Sequence, residues 1–408
     1  MRSVRIYTKI IPSLFLFFGT HTGASEWILE NPQAISLRMD PEMFQNERLT
    51  LDSKIKLDPT FVKEKLGDDL EKYRKAIKEY RPDQCHVEGL ATDGQHLFLS
   101  CCLYPHTLKV IREYVSRSFL LRARLVDIFD KSEPKKQIDW KKREVTEIED
   151  EKIGGRIITR VMGHPSGIVY DPVAKAILNA NAVYEKKTRG QFSLFDPKSL
   201  KRKKGTRPVP IADHLSLTGI VFGQYLISTN WGSAEFIFVE SDRNNNGPPR
   251  IRTVSNPVRG SEGQPFSFND CEIWDQNHLL CGGHFGSKTT EVNEQNKEVV
   301  WEIRDGRLFL IEFVGNDFES LTFGQMIPIK IKRTPESEFT IVTGRREYQS
   351  PSEGEEVDRI STSYGGESIN RTLTNNGFAI TPDRQYAFFV PNDVPRDKLI
   401  RFKLTEIP

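Results

Sequence analysis

The chain reads HVEGLATDGQHLFLS from His86 to Ser100, and this pattern decides the fold because it returns along the sequence. In each copy a polar residue precedes a small one, usually Gly, and two apolar strands follow with a turn between them. The further copies are HPSGIVYD (His164–Asp171), LTGIVFGQYLIS (Leu217–Ser228), and NNGFAITPD (Asn375–Asp383) followed by YAFFV (Tyr386–Val390). Self-similarity of this kind is the signature of a repeat architecture such as a β-propeller.

The spacing of the copies predicts the number of units. Gly167 and Gly219 are 52 residues apart, and another 52 residues lead to Cys271, which lies in a similar phrase. From Cys271 to Gly377 is 106 residues, so we expect one degenerate unit between them. Units of about fifty residues with about four short strands each predict an all-β, six-bladed propeller, with five blades as the alternative.

One interval is longer than the others. Gly89 and Gly167 are 78 residues apart. The stretch from Lys131 to Lys152 is highly charged and has no apolar periodicity, so we interpret the excess as an inserted surface loop.

Composition indicates a globular protein without a strong overall charge. Apolar residues make up 37% of the chain, and 58 basic residues against 56 acidic ones leave a net charge of +2. This balance gives no field that would attract nucleic acid or an anionic membrane. We therefore expect a small-molecule ligand, no nucleic-acid partner, no membrane span and a monomer.

The N-terminus predicts export. Arg2, Arg5 and Lys9 precede a short apolar run at Ile10–Gly19, and small residues follow up to Ala24. This is the pattern of a cleavable signal peptide, and the run is too short to span a bilayer. Residues 1–24 are therefore the predicted signal peptide, and the mature protein is expected to be secreted or periplasmic.

Residues 25–82 are predicted to form an extension ahead of a propeller at 83–408. Within it, Phe61–Tyr80 carries apolar residues at spacings of three and four, and Asp58 starts and Pro82 ends the pattern, which predicts an amphipathic helix. The last repeat begins at Gly377 and is too short for a whole blade. We therefore expect a strand from the N-terminal extension to complete it, since an open edge would leave backbone groups unpaired.

Five cysteines leave more than one pairing open. Cys271 and Cys281 flank a predicted hairpin, and Cys85 can reach Cys101 or Cys102. Export permits disulfides, but buried free cysteines are an equal alternative. An odd count leaves at least one thiol outside any disulfide within the chain.

Polar residues recur at the start of the repeats, where the innermost strands of a propeller meet at one mouth of the central channel. We expect these residues to converge there as a functional site. The predicted catalytic residues are His86, His164 and His214; the predicted ligand-binding residues are Ser166, Tyr184, Asn230, Trp231 and Asn269; and the predicted metal ligands are Glu88, Asp270 and Asn376.

Two chemistries are open for this set. The oxygen-bearing residues suit a hard cation such as calcium, which would polarise a water for hydrolysis. The histidines suit zinc or iron, or a role as general base near neutral pH. Residues i and i+2 of one strand point to the same side, so His86 and Glu88 are expected to face the channel together.

The chain resembles two groups of proteins at these residues. The runs from His164 to Gly282, including HPSG, NWGS and NDC, resemble a bacterial propeller-like family of unknown function, and this resemblance covers about residues 84–313. Glu88-Gly89 and Asn376-Gly377 with Thr381-Pro382-Asp383 are similar to motifs of six-bladed gluconolactonase-like hydrolases, except that Arg384 replaces the turn Gly. The second resemblance implies metal-dependent hydrolysis of a small lactone or ester. The alternative is a non-catalytic propeller that binds a ligand or a protein.

Overall fold

The computed structural model describes most of the repeat region and part of the N-terminal extension. The described residues are 26–40, 42–44, 47, 75, 85–103, 117–130, 132, 136–153, 156–162, 164–182, 190–203, 209–211, 215–230, 232–240, 249–260, 263–292, 298–331, 343–348, 362–364, 367–369, 377–390 and 398–407. The predicted signal peptide and nearly all of the predicted helix at 61–80 lie outside these residues.

The described chain is built of strands with one short helix, α1 (Leu125–Phe129). In chain order the strands are β1 (Glu26–Ser36), β2 (His86–Thr92), β3 (His96–Leu103), β4 (Arg117–Arg124), β5 (Lys141–Glu144), β6 (Glu147–Ile153), β7 (Arg156–Met162), β8 (His164–Asp171), β9 (Ala176–Ala182), β10 (Gly190–Phe195), β11 (Val209–Ile211), β12 (Gly219–Val221), β13 (Tyr225–Thr229), β14 (Glu235–Glu240), β15 (Arg250–Ser255), β16 (Ser267–Ile273), β17 (His278–Val292), β18 (Glu298–Val314), β19 (Thr322–Pro328), β20 (Lys330–Ile331), β21 (Thr343–Tyr348), β22 (Thr362–Tyr364), β23 (Glu367–Ile369), β24 (Phe378–Ile380), β25 (Tyr386–Phe389) and β26 (Lys398–Ile407). Among the described residues, no helix has the length and apolar character needed to cross a membrane.

These strands form a propeller of five blades. Blade 1 is β2–β5, blade 2 is β8–β11, blade 3 is β12–β15, blade 4 is β16–β19, and blade 5 is β24, β25, β26 and β1 from the inside outward. Each blade begins with a copy of the repeated phrase, so the prediction of an all-β propeller is confirmed. Five blades, which was the alternative count, is what the described residues form.

The sixth unit expected between Cys271 and Gly377 is not formed by the described residues. The apolar run at 307–313 is part of β18, the third strand of blade 4, and the run at 327–331 is divided between β19 and β20. Part of the length of the interval comes from β17 and β18, which continue past the blade as a hairpin from the pair Phe285–Asp305 to the pair Val292–Glu298, with β21 paired to its outer part. The rest is the chain between β20 and β24.

The charged stretch from Lys131 to Lys152 is not simply a loop. Lys141–Glu144 forms β5, the outermost strand of blade 1, and Glu147–Ile153 pairs with β7 in a hairpin. An outermost strand faces solvent, so its charged side chains need no apolar alternation, and this explains why the sequence pattern gave no strand signal.

The N-terminal extension completes blade 5. Residues Glu26–Ser36 pair antiparallel with β26, from Glu26 opposite Ile407 to Ser36 opposite Lys398. The expected closing strand is therefore confirmed.

Apolar side chains fill the five seams between neighbouring blades, one cluster to a seam. Two disulfides join adjacent strands within a blade. Cys85 pairs with Cys101 in blade 1, and Cys271 pairs with Cys281 in blade 4. Cys102 is buried and belongs to neither disulfide.

Candidate functional site

Glycines of the repeated phrase bring the innermost strands into direct contact at the axis. A Cβ atom on Gly89 would lie 2.6 Å from the backbone nitrogen of Ile168 in the next blade. A Cβ on Gly377 would collide with Gly89, and a Cβ on Gly167 would collide with the Asp270 carboxylate. The repeat therefore uses Gly because backbones approach too closely for a side chain. At this level the axis is filled by protein atoms.

Asp270 occupies the centre of this contact. Its side chain is fully buried, and its carboxylate accepts hydrogen bonds from the backbone N–H groups of Cys271 (3.0 Å) and Phe378 (3.2 Å) and also from that of Leu90. Burial raises the pKa of this carboxyl well above its usual value, although the three N–H groups oppose the shift. Asp270 was a predicted metal ligand, but in the structure its oxygens tie blade 4 to blades 1 and 5.

Three innermost strands carry a β-bulge near the end at which they begin. The register shifts between Val87 and Gly89 in β2, between Pro165 and Ile168 in β8, and between Phe268 and Asp270 in β16. The residues at the bulges are Glu88, Ser166 with Gly167, and Asn269. A bulge re-aims the side chains around it, so alternation along β2 does not by itself fix the direction of the Glu88 side chain. We call the end of the axis where β2, β8 and β16 begin the mouth.

Two polar pairs lie at the mouth. The Cys102 thiol donates to Glu88 Oε1 at 3.6 Å, and Glu88 is half-buried. On blade 4, Asn269 Nδ2 lies 3.4 Å from His284 Nδ1, which accepts from the amide in the tautomer that carries its proton on Nε2. The two pairs place a half-buried carboxylate and a half-buried amide at the mouth, each beside a buried partner, the Cys102 thiol and the His284 imidazole.

Ser166 and Asn230 are used for internal hydrogen bonds. Ser166 is buried and its hydroxyl donates to the carbonyl of Leu215. Asn230 is half-buried, and its Oδ1 accepts from the N–H of Glu235 at 3.3 Å across the turn between β13 and β14.

For the other predicted site residues, either the side chain or the whole residue lies outside the described part of the chain. His86 and His164 are the first residues of β2 and β8, which places their backbones at the mouth, but their side chains lie outside the described residues. His214, Tyr184, Trp231 and Asn376 lie outside them altogether.

The described residues do not by themselves fit a metal site. Within the described ranges, no three His, Cys, Asp or Glu side chains are grouped closely enough to hold a metal ion. The burial that raises the pKa of Asp270 also favours its neutral form, which is a poor metal ligand.

A cleft of about 480 Å³ lies on the outside of blade 1, and its lining includes Arg38, His96 and Arg122. His96 begins β3 at the end of the blade opposite the mouth. The arginines are already used: Arg38 donates to the carbonyls of Asp127 and Ile128, and Arg122 to those of Pro197 and Lys198. The cleft therefore lies away from the mouth, and two arginines that line it are already bonded to backbone carbonyls. It does not correspond to the predicted site.

Cys102, His284 and Glu272 were not among the residues that the repeat pattern indicated for chemistry. Glu272 lies two residues after Asp270 on β16 and is buried, and its Oε1 has no hydrogen-bond partner in the described structure. The signal that could have found it is a second acid two residues after Asp270, which places both on one face of an innermost strand.

No protein-family model matches the sequence, and no curated protein matches it either. Among solved structures, the chain is similar to a glutaminyl cyclase from Myxococcus xanthus, at 14% identity and a TM-score of 0.35, over 80% of this chain and 93% of that one. It is also similar to a periplasmic gluconolactonase from Pseudomonas aeruginosa, at 10% identity and a TM-score of 0.30, over 80% and 99% of the two chains. A third is the β-propeller domain of the Trilobed protease from Pyrococcus furiosus, at 9% identity and a TM-score of 0.31, over 79% and 97%. At these identities and TM-scores, the three likenesses carry no argument about the activity of this chain.

Proposed function

We propose that this protein is an exported propeller that binds a small polar molecule at the mouth. The observation that carries the proposal is the trio of bulges at Glu88, Ser166 with Gly167, and Asn269, which fall at one level of three blades. Bulges are frequent beside functional sites because they re-aim side chains.

Because the axis is closed, we favour a molecule that binds at the mouth over one that passes through the central channel. Since Gly89, Gly167 and Asp270 fill the axis below the mouth, a molecule entering there meets a floor. Glu88 supplies a carboxylate acceptor, and Asn269 with His284 supplies an amide and an imidazole. A few polar groups over a packed floor suit a ligand that is oriented by hydrogen bonds.

Hydrolysis of a small lactone or ester is the second candidate. A half-buried carboxylate at the mouth is a general base in a suitable position to take a proton from water, and Glu88 is such a group. A divalent cation, calcium or zinc, belongs to this candidate, with ligands drawn from Glu88 and from the predicted residues whose side chains lie outside the described structure. Export and a monomeric state remain part of both candidates.

The test is a thermal-shift screen of purified mature protein against sugars, sugar lactones and amino acids, followed by calorimetric titration of any hit. We expect Glu88→Gln to weaken binding roughly tenfold or more, because a hydrogen bond to a charged group contributes about 1.5–3 kcal/mol. Glu42→Gln, a change of the same kind at an exposed residue, is the matched control.

Binding that is equal in Glu88→Gln and wild type would refute a ligand at the mouth. Metal analysis of the same samples separates the two candidates. A stoichiometric divalent metal that is lost in Glu88→Gln, together with lactone hydrolysis, favours the hydrolase; ligand binding by metal-free protein favours the binding propeller.

A further inference from the structure

The seam between blades 1 and 2 changes from apolar to polar towards the mouth. Its apolar part joins Phe98 and Leu120 of blade 1 to Ile177 and Phe195 of blade 2. Residues two apart on a strand face the same side, and directly paired residues of neighbouring strands share a face. The positions on this face that follow towards the mouth are therefore Ser100, Cys102 and Ser118 from blade 1 and Asn179, Gln191 and Ser193 from blade 2.

Hydrogen bonds show that these two polar sets meet. The carbonyl oxygen of Ser166 accepts from the Ser100 hydroxyl at 3.3 Å and from Asn179 Nδ2 at 3.4 Å. Ser100 belongs to blade 1 and Asn179 to blade 2, so one oxygen joins side chains from both walls of the seam.

Three buried polar atoms in this seam have no hydrogen-bond partner in the described structure. They are Ser118 Oγ, Asn179 Oδ1 and Gln191 Nε2, on side chains that are 0%, 1% and 6% exposed. The described residues contain five such atoms in all, so more than half of them fall in one seam. An unsatisfied buried group costs about 1–3 kcal/mol, which a protein rarely leaves uncompensated.

The chemistry of the three atoms indicates which hydrogen-bond partner would satisfy them. Asn179 Oδ1 accepts, Gln191 Nε2 donates, and Ser118 Oγ does either, and all three groups are uncharged. A buried water makes two to four hydrogen bonds to such mixed partners. None of the three atoms carries a charge, and the Arg202 guanidinium that reaches the polar set already donates to Ser193 Oγ at 2.7 Å. An ion placed among the three atoms would therefore lack a counter-charge there, and burying an unpaired charge is costly.

The same seam reaches the mouth through Cys102. Cys102 pairs directly with Ser118 across β3 and β4, so the two side chains share the seam face. The Cys102 thiol also contacts the half-buried Glu88. We propose that the seam between blades 1 and 2 is a water-filled site through which small uncharged molecules reach the Cys102 thiol from the mouth.

Thiol modification of the native full-length mature protein tests this proposal. Methyl methanethiosulfonate is small and uncharged; the cysteine thiolate attacks its divalent sulfur, a disulfide forms, methanesulfinate leaves and the thiol proton passes to solvent. The sulfonatoethyl analogue of this methanethiosulfonate reacts in the same way but carries a negative charge. We expect the uncharged reagent to modify Cys102 and the charged one to do so at least roughly tenfold more slowly, because burying a charge is costly. Peptide mapping and a Cys102→Ser variant identify the site.

Two variants connect the reactivity to the seam. Asn179→Leu and Gln191→Leu replace polar groups by apolar ones of similar size, and we expect each to slow the uncharged reagent by roughly tenfold, since a drier seam excludes water. Thr229→Val is the matched control, because Thr229 is a fully buried polar residue of blade 3 far from Cys102. If the rate of Cys102 modification does not change in low concentrations of urea, the thiol reacts in the native state and not after unfolding.

Three results would overturn the proposal: a native thiol that resists both reagents, equal rates with both, or unchanged rates in the two leucine variants. If a variant does not fold, a high-resolution crystal structure of the wild type decides. Ordered water within hydrogen-bond distance of Ser118, Asn179 and Gln191 supports the site, and a dry seam refutes it. Neither result depends on the ligand proposed for the mouth.

Discussion

At the scale of single residues, the axis holds two buried acids on one strand. Asp270 and Glu272 are two residues apart on β16, so they face the same side. Burial raises the pKa of Glu272 well above its usual value, and the neighbouring Asp270 adds to the shift. Asp270 is held by three backbone N–H groups, whereas Oε1 of Glu272 has no partner in the described structure.

Glu272→Gln tests this environment. Burial raises the pKa of Glu272 in the folded protein above the value of about 4.3 that it has in an unfolded chain. Wild-type stability therefore falls as pH rises from the unfolded pKa towards the folded one. Glutamine has no proton to lose. We expect Glu272→Gln to gain about 1 kcal/mol or more over wild type between pH 4 and pH 8, since one pKa unit is worth about that much. Urea unfolding at several pH values measures the difference.

The exposed Glu42→Gln serves as the control and should follow the wild-type pH dependence throughout. A stability difference between Glu272→Gln and wild type that stays constant from pH 4 to pH 8 would show that Glu272 ionises normally in the folded protein.

The residues of the mouth were partly predictable. Glu88, Ser166 and Asn269 do lie at one level of their blades, because the repeat places them there. The bulges could not be predicted from alternation, although Gly89 and Gly167 inside apolar strands are a known bulge signal. The axial role of Asp270 depends on N–H groups of Leu90 and Phe378, which belong to other blades and are distant in sequence.

At the scale of elements, β1 is the strand with the most consequence for stability. Leu29 is fully buried in the seam of blades 4 and 5, and Trp27 packs edge-on against Trp274 with ring centroids 4.8 Å apart. Arg384 lies with its guanidinium 4.5 Å from the Trp274 ring and donates to the Trp274 carbonyl at 2.6 Å. Arg384 has a φ of 56°, so these contacts explain why Arg stands at a turn position that favours Gly.

Leu29→Ala should therefore destabilise the whole propeller. Removing a fully buried leucine side chain costs about 3 kcal/mol. We expect a single cooperative urea transition at a lower midpoint, because β1 is an integral strand of blade 5. Gln33→Ala, on the exposed part of the same strand, should change the midpoint little. A separate early transition for β1 in the Leu29→Ala protein would contradict its role as a blade strand.

The strand from the extension was predictable because the last repeat is too short for a blade. The number of blades was not, since an interval of 106 residues fits two units as well as one unit with a long hairpin. The hairpin of β17 and β18 lengthens blade 4 without adding a seam, and length alone does not distinguish these cases.

At the scale of the whole molecule, the blades meet in two ways. Apolar clusters join neighbours at each of the five seams, and glycines at the axis let innermost strands touch directly. The contact of Gly167 with Asp270 joins blade 2 to blade 4 across the axis. The convergence of the blades therefore depends on the absence of a side chain at Gly167.

Gly167→Ala is the test at this scale. Its Cβ would collide with the Asp270 carboxylate, so blades 2 and 4 would have to separate. Overpacking of a tight core costs typically about 1–3 kcal/mol, and we expect about 3 kcal/mol here because backbone must move. Thermal and urea unfolding measure the loss.

Gly223→Ala provides the comparison. A Cβ there meets no atom within 4 Å, but the φ of +65° makes the backbone strained, at about 1 kcal/mol. If Gly167→Ala lowered the free energy of unfolding no more than Gly223→Ala does, blades 2 and 4 would not be in the close contact that the structure shows at the axis.

The pairing of β1 with β26 makes the protein depend on the order of its own synthesis. Glu26 and Ile407 are partners in the sheet, and the strands of all the other blades lie between them in the sequence. Blade 5 cannot be completed until the ribosome has made β26, so β1 lacks this partner while the other blades are translated. Closing a loop between residues so far apart along the chain costs entropy and slows folding. A chain that stopped before β26 would therefore lose that strand and also leave β1 without its partner in blade 5, so the blade forms only when both strands have been made.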